Sequence, residues 1–190
     1  MPKSAGSGQA LVLTSAQQDA VLAAVPQLKY RTAYTVCRYT AARISEVLAL
    51  RWRHVKQSAI VFERRITKGK RRTREVPITP PLRVALETWR KAQRSKKPAS
   101  DAYVFPGRGG RSTMSRQTAD RVLRRACGIV GVDGASTHSW RRSSLTSASN
   151  QGVPLRHLQR LSGHASLDML SRYLDVTDAQ LAVAAAAFLQ

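Results

Sequence analysis

Three short stretches carry side chains whose types and spacing could act together on one anion. In "STHSWRRSS", a helix starting near Thr137 puts His138 and Arg141, three residues apart, on one face. A His and an Arg displayed together suit an oxyanion such as a phosphate, because Arg offers a planar fork of donors and stays protonated. The alternative for this pair is a basic, solvated helix face. In "AARISEVLALRW", Arg43 sits at a helix junction among Ala41, Ala42 and Ile44 and should be partly buried. A buried cation is costly without an anion, which could be Glu46 or a substrate phosphate. In "LSGHASLDMLSRYLDV", Tyr173 follows His164 by nine residues. It is either a core tyrosine or a nucleophile.

A fourth stretch is a run of charge. From Arg64 to Arg74, "RRITKGKRRTR" holds seven cations in eleven residues and no acid. Arg64, Arg65, Lys70, Arg71, Arg72 and Arg74 read as contacts to a phosphate backbone, as does Arg142 on the far side of its helix. One lysine here could instead deliver a proton, since neighbouring cations depress its pKa. Lys68, just before Gly69, is better placed for this than Lys70. The whole chain of 190 residues has 32 Lys and Arg against 11 Asp and Glu, a net charge of +21, which calls for a polyanionic partner.

The acids are scattered, the closest pair being Asp175 and Asp178, whereas a two-metal site needs clustered carboxylates. We therefore expect neither a metal nor a cofactor. No apolar run is long enough to span a membrane and no signal peptide is visible, so the expected location is the cytoplasm. Cys37 and Cys127 read as reduced core residues. Tyr30, Tyr34 and Tyr39 read as packing, and His54 and His157 as outside the chemistry.

The elements that must position these side chains are mostly helices. The first ten residues are small and polar and read as a flexible tail. Thr14 and Gln17 form a capping box for a helix, followed by helices over 29–41 and 44–52. "SAIVFERRIT" and "TREVPIT" flank "KGKRR" as a β-hairpin, expected to belong to a three-stranded antiparallel sheet whose first strand lies near Val55. Thr79 with Pro80 and Pro81 opens another helix, and a loop covers 96–114. Further helices start at Ser115, Thr137, Pro154 and Ser166, the last carrying Tyr173, and Thr177 caps a final apolar helix. The fold class is α+β, mainly helical, in one domain.

The segments "YTAARISEVLALRW", "ITKGKRRTREVPI" and "THSWRRSSLTSASNQGVPLRHLQRLSGHASLDMLSRYLDV" together resemble the catalytic domain of tyrosine recombinases, the phage-integrase family. Order and spacing agree, with 23 residues from Arg141 to His164 and nine from His164 to Tyr173. The resemblance implies an active site of Arg43, Lys68, His138, Arg141, His164 and the nucleophile Tyr173. Those residues would cut and rejoin double-stranded DNA through a 3′-phosphotyrosine. It also implies a homotetramer on paired DNA sites and a monomer without DNA. Residues 11–176 would form the catalytic domain, and 177–190 a C-terminal helix that could be exchanged between protomers. The N-terminal core-binding domain of most relatives is expected to be absent. Two departures stand out: Ala41 and Ala42 replace the usual glycine, and "WRR" replaces "LRH" around Trp140 and Arg142. Related readings are an accessory DNA-binding factor with the same fold, or a type IB topoisomerase.

Overall fold

The computed structural model describes residues 10–66, 73–93, 98–171, 174, 178–186 and 188. Lys68, Lys70, Arg71, Arg72, Tyr173 and Thr177 therefore lie outside the described residues, as does the side chain of Arg65.

Local signals set most of the helix starts. The Thr14–Gln17 capping box opens α1 (Ser15–Ala24), and Thr79 with Pro at the first turn opens α4 (Pro80–Ala92). Ser115 caps α5 (Arg116–Ile129) by accepting from the Thr118 N–H. Ser136, one residue before the expected start, caps α6 (Thr137–Asn150). Around α2 (Leu28–Thr40), which buries Tyr34, Val36 and Cys37, pack α1, α4 and α6. The Tyr34 hydroxyl donates to Ala119 O at 2.8 Å, and its ring stacks on Trp140. Cys37 and Cys127 are both buried and unbridged.

The helix expected over 44–52 is shorter. α3 spans Ile44–Leu48, and a 3-10 turn follows at Trp52–His54. Tertiary pairing overrides the apolar periodicity here: Val104 N donates to Leu50 O and Trp52 N to Ala102 O, which pulls this stretch into extended contact with the loop. The sheet is also smaller than expected, with two strands among the described residues. β1 (Ala59–Phe62) and β2 (Arg74–Pro77) pair antiparallel with Phe62 opposite Arg74. The third strand near Val55 reduces to a single bridge with Ile60, because the Val55 N–H is already bonded back to Trp52 O.

The C-terminal part contains α7 (Leu155–Ser162), α8 (Leu167–Ser171) and α9 (Asp178–Ala186). A small second core joins Ala41, Leu145 of α6, Leu158 of α7 and Leu170 of α8, with Leu174 packed beside them. Burying a leucine of this kind contributes about 2 kcal/mol. The cluster draws the α2–α3 corner, α6 and α8 together.

Candidate active site

The corner between α2 and α3 builds the first half of the site. Ala41 ends α2 in the left-handed conformation, φ 48°, the one non-glycine residue with positive φ among those described. That turn aims the Ala41 carbonyl away from the helix and into the domain. It also explains the glycine expected near this position, since glycine adopts this conformation without strain. Arg43 then caps α3. Its backbone N–H and its Nη1 both donate to Glu46, at 3.1 Å each.

Glu46 is fully buried. Burial alone would raise its pKa, but Arg74 and Arg43 outweigh that and hold its carboxyl below the ordinary value. Arg74 reaches it from β2, with Nη2 donating to Glu46 Oε2 at 2.7 Å. Glu46, weighed as a structural partner of Arg43, is thus the shared anchor of two arginines.

Arg141 lies on the inner face of α6 and is 1% exposed. Its Nη1 donates to Ala41 O at 2.6 Å and to Ser162 O at 2.9 Å, and its Nη2 lies 2.9 Å from His164 Nε2. A guanidinium can only donate, so Nε2 accepts and the ring carries its proton on Nδ1. Nδ1 faces Ser162 Oγ at 2.7 Å. Burial, then the charges of Arg141, Arg43 and Arg74, push the His164 pKa down to about 3 against the opposing pull of Glu46. The imidazole is neutral. In this arrangement its Nε2 accepts from the guanidinium of Arg141.

Segments far apart in the chain thereby bring Arg43, Arg141 and His164 together. His138 is on the same helix as Arg141, exposed, on the first turn of α6. Lys68 and Tyr173 lie outside the described residues; the described neighbours of Tyr173 are Ser171, which ends α8, and Leu174, whose N–H donates to Ser171 O. Among the described contacts, Glu46 pairs with Arg43 and Arg74, while Arg141 is held by Ala41 O, Ser162 O and His164. Such a pocket favours an added anion.

Two residues expected on the DNA backbone are instead buried among protein partners. Arg142 is buried, and its Nη1 donates to Ala10 O at 2.9 Å, next to the Leu13 N–H that donates to Ser143 Oγ. It straps the N-terminal segment onto α6. Arg74 is buried because strand alternation turns residues 74 and 76 inward and leaves 75 and 77 exposed. That signal was present in "REVP": with Val76 facing the core, Arg74 must face it too. Arg64 remains exposed.

A second histidine cluster lies beside the 3-10 turn. His54, also buried, accepts the Arg51 N–H at Nδ1 (3.0 Å), and its Nε2 lies 3.1 Å from Glu63 Oε1. Arg51 and Arg53 both pair with Asp101.

The phage integrase family model matches residues 12–180. The tyrosine recombinase XerC of Agrobacterium fabrum is 30% identical over 184 residues, covering 95% of this chain and 56% of that protein. The tyrosine recombinase XerD of Mycobacterium leprae is 33% identical over 158 residues, covering 79% and 49%. The chain spans about half the length of the curated relatives it matches. The crystal structure of XerA recombinase superposes with a TM-score of 0.76 at 20% identity, over 95% of this chain and 66% of that one. The Tn1549 transposon integrase in complex with transposon right end DNA gives 0.79 at 18% identity, over 97% and 68%. At these identities the two structures establish a shared fold.

Proposed function

The chain belongs to the phage integrase family, and from that premise we propose that it is a site-specific DNA recombinase acting through a covalent 3′-phosphotyrosine. One observation carries the reading: Arg43, Arg141 and His164, motif residues from separate segments, converge in a cationic pocket in which Glu46 pairs with Arg43 and Arg74. A phosphodiester passing through a pentacoordinate transition state gathers charge on its non-bridging oxygens, and preorganised guanidinia stabilise that charge. Arg141 is fixed on three sides before substrate arrives, so little reorganisation is needed.

In the proposed reaction the Tyr173 oxygen attacks phosphorus and the bond to the 5′-oxygen breaks. The 3′-phosphate is then esterified to the tyrosine. Lys68 supplies the proton to the leaving 5′-oxygen, with Lys70 as the alternative, and His138 accepts the proton from the tyrosine side. Reversal with a 5′-hydroxyl from a second strand rejoins the backbone. The partner is double-stranded DNA, with Arg64, Arg65, Lys70, Arg71 and Arg72 on its backbone. Two paired sites would hold four protomers. The exposed, apolar α9, with Leu181 and Val183 facing solvent, suits donation to a neighbouring protomer in that assembly.

The test is incubation with a nicked suicide duplex, on which cleavage releases a short strand and traps the intermediate. A covalent protein–DNA adduct is expected from the wild type. Tyr173→Phe should abolish the adduct while leaving duplex affinity within about twofold, since phosphate contacts dominate binding. Adduct at the normal level in that variant would move the nucleophile elsewhere.

A further inference from the structure

We propose that Arg74 is a positioning residue of the active site, a side chain that locks the hairpin strand β2 to both the Arg43 holder and the His164 turn. The inference rests on the reaction proposed above. Arg74 contacts four things at once. Nη2 donates to Glu46 Oε2 at 2.7 Å, and Nε donates to Leu161 O at 3.0 Å. The guanidinium lies over the Phe62 ring, 4.4 Å from its centroid. Its Nη1 also lies against Gly163: a Cβ there would come within 3.1 Å of Nη1, at a φ of +70°.

Each contact has a consequence for a different catalytic group. Glu46 orients Arg43 through both its backbone N–H and its Nη1. Leu161, Ser162 and Gly163 form the end of α7, where the Ser162 carbonyl holds Arg141 and the next residue is His164. Phe62 faces Arg74 across the two strands. Arg74 is also six residues beyond Lys68 in the same hairpin segment. The fork geometry matters because a lysine, with one nitrogen, cannot bond Glu46 and Leu161 in the same directions. A surface cation reaching for phosphate needs none of these contacts.

The electrostatics give the proposal a signature that a purely structural role lacks. Glu46 is faced by Arg43 from the start of α3, Arg74 from β2, Cys37 from α2 and His164 beyond α7. Burial pushes the Cys37 thiol up, so it is neutral, and His164 is neutral as well. Arg43 and Arg74 are therefore the charges that keep Glu46 ionised against its burial. Without Arg74 the carboxyl pKa rises, Glu46 takes up a proton at a higher pH, and Arg43 loses its acceptor as the solution is acidified.

The experiment compares wild type, Arg74→Lys, Arg74→Gln, Glu46→Gln and the double variant Arg74→Gln/Glu46→Gln, with circular dichroism to check folding. It reads single-turnover adduct formation on the suicide duplex across pH, and duplex affinity across salt. Arg74→Gln should slow adduct formation about 10²-fold, the size expected from displaced catalytic groups. Its affinity should stay within about twofold with an unchanged salt slope, and the acid limb of its pH profile should move to higher pH. Arg74→Lys should fall between Gln and wild type, and the double variant should be scarcely slower than either single one.

Loss of affinity with a salt slope lower by about 0.9, the signature of one lost phosphate contact, would overturn the proposal, as would a wild-type rate in Arg74→Gln. An unmoved pH profile with additive effects of the two substitutions would overturn it too. If Arg74→Gln does not fold, Arg74→Lys decides, and a full rate there is the overturning result. Failure of the recombinase reading itself is distinguishable, because it shows as no adduct from the unsubstituted chain.

Discussion

The molecule contains two buried histidines, each set among arginines and acids, and they are built to opposite ends. Around His54, two arginines meet two carboxylates: Arg51 and Arg53 pair with Asp101, Arg53 also approaches Glu63, and Glu63 meets the imidazole. Charges balance, and much of the cluster is at the surface. Around His164, Arg43 and Arg74 pair with Glu46, Arg141 binds main-chain carbonyls and the imidazole, and Glu46 and Arg141 are almost wholly shielded from water. A network that closes on itself is complete as folded. On the proposed reading, the second, a cationic pocket closed off from water, is completed by an anion. On that reading the same residue types make a staple in one place and a receptor in the other.

Substitution at the arginines is the strongest way to break this contrast. Arg141→Lys should lower the rate of adduct formation by about 10³-fold, because an ammonium cannot hold two carbonyls and face a phosphate together. Asp101→Asn, which loosens the closed cluster, should leave that rate within about twofold, since exposed pairs are worth under about 1 kcal/mol. Equal losses from both substitutions, measured in single turnover, would erase the distinction between the two networks.

Titration sharpens it further. The His164 pKa, pushed down to about 3, keeps the ring neutral through the physiological range. Its folded value lies below the unfolded one, so the stability it contributes is present above about pH 6.5 and drains away as pH falls toward about 3. Side-chain NMR should find His164 unprotonated at pH 5. Adding duplex DNA should move its resonances far more than those of His54, whose pKa is lowered by burial but supported by Glu63. A His164 ring that protonates near pH 6.5 without DNA would mean that the surplus charge is not felt there.

The smallest effect concerns the backbone of the site. Ala41→Gly relieves left-handed strain of about 1–2 kcal/mol, against about 0.8 kcal/mol for the lost buried methyl group and a more flexible unfolded chain. Urea unfolding should place the variant within about 1 kcal/mol of the wild type. A loss beyond about 2 kcal/mol would show that the methyl group is essential to the small core with Leu145, Leu158 and Leu170.

Most helix starts were legible because their signals are local: Thr14 and Ser115 each cap within three residues, and Pro80 with Pro81 sets the first turn after Thr79. The motif residues were legible because type and spacing carry them. What failed were features decided across the chain. The helix after Arg43 stops early because the loop around Ala102 and Val104 claims its backbone. Arg142 looked like a solvent-facing cation, and only the return of residues 10–13 over α6 buries it. The inward placement of Arg74 was missed for a different reason. It ends a run of cations, and charge density spoke louder than the alternation of its strand.

Two of the three acceptors that grip Arg141 have a consequence for inheritance. Both are carbonyls of the main chain, at Ala41 and Ser162. A point mutation exchanges a side chain, but it leaves the carbonyl in place. The orientation of this guanidinium is therefore shielded from ordinary drift, and depends on the path of the chain more than on the alphabet written along it. Sequences can wander far while that path is kept, and the arginine will still find the same two oxygens.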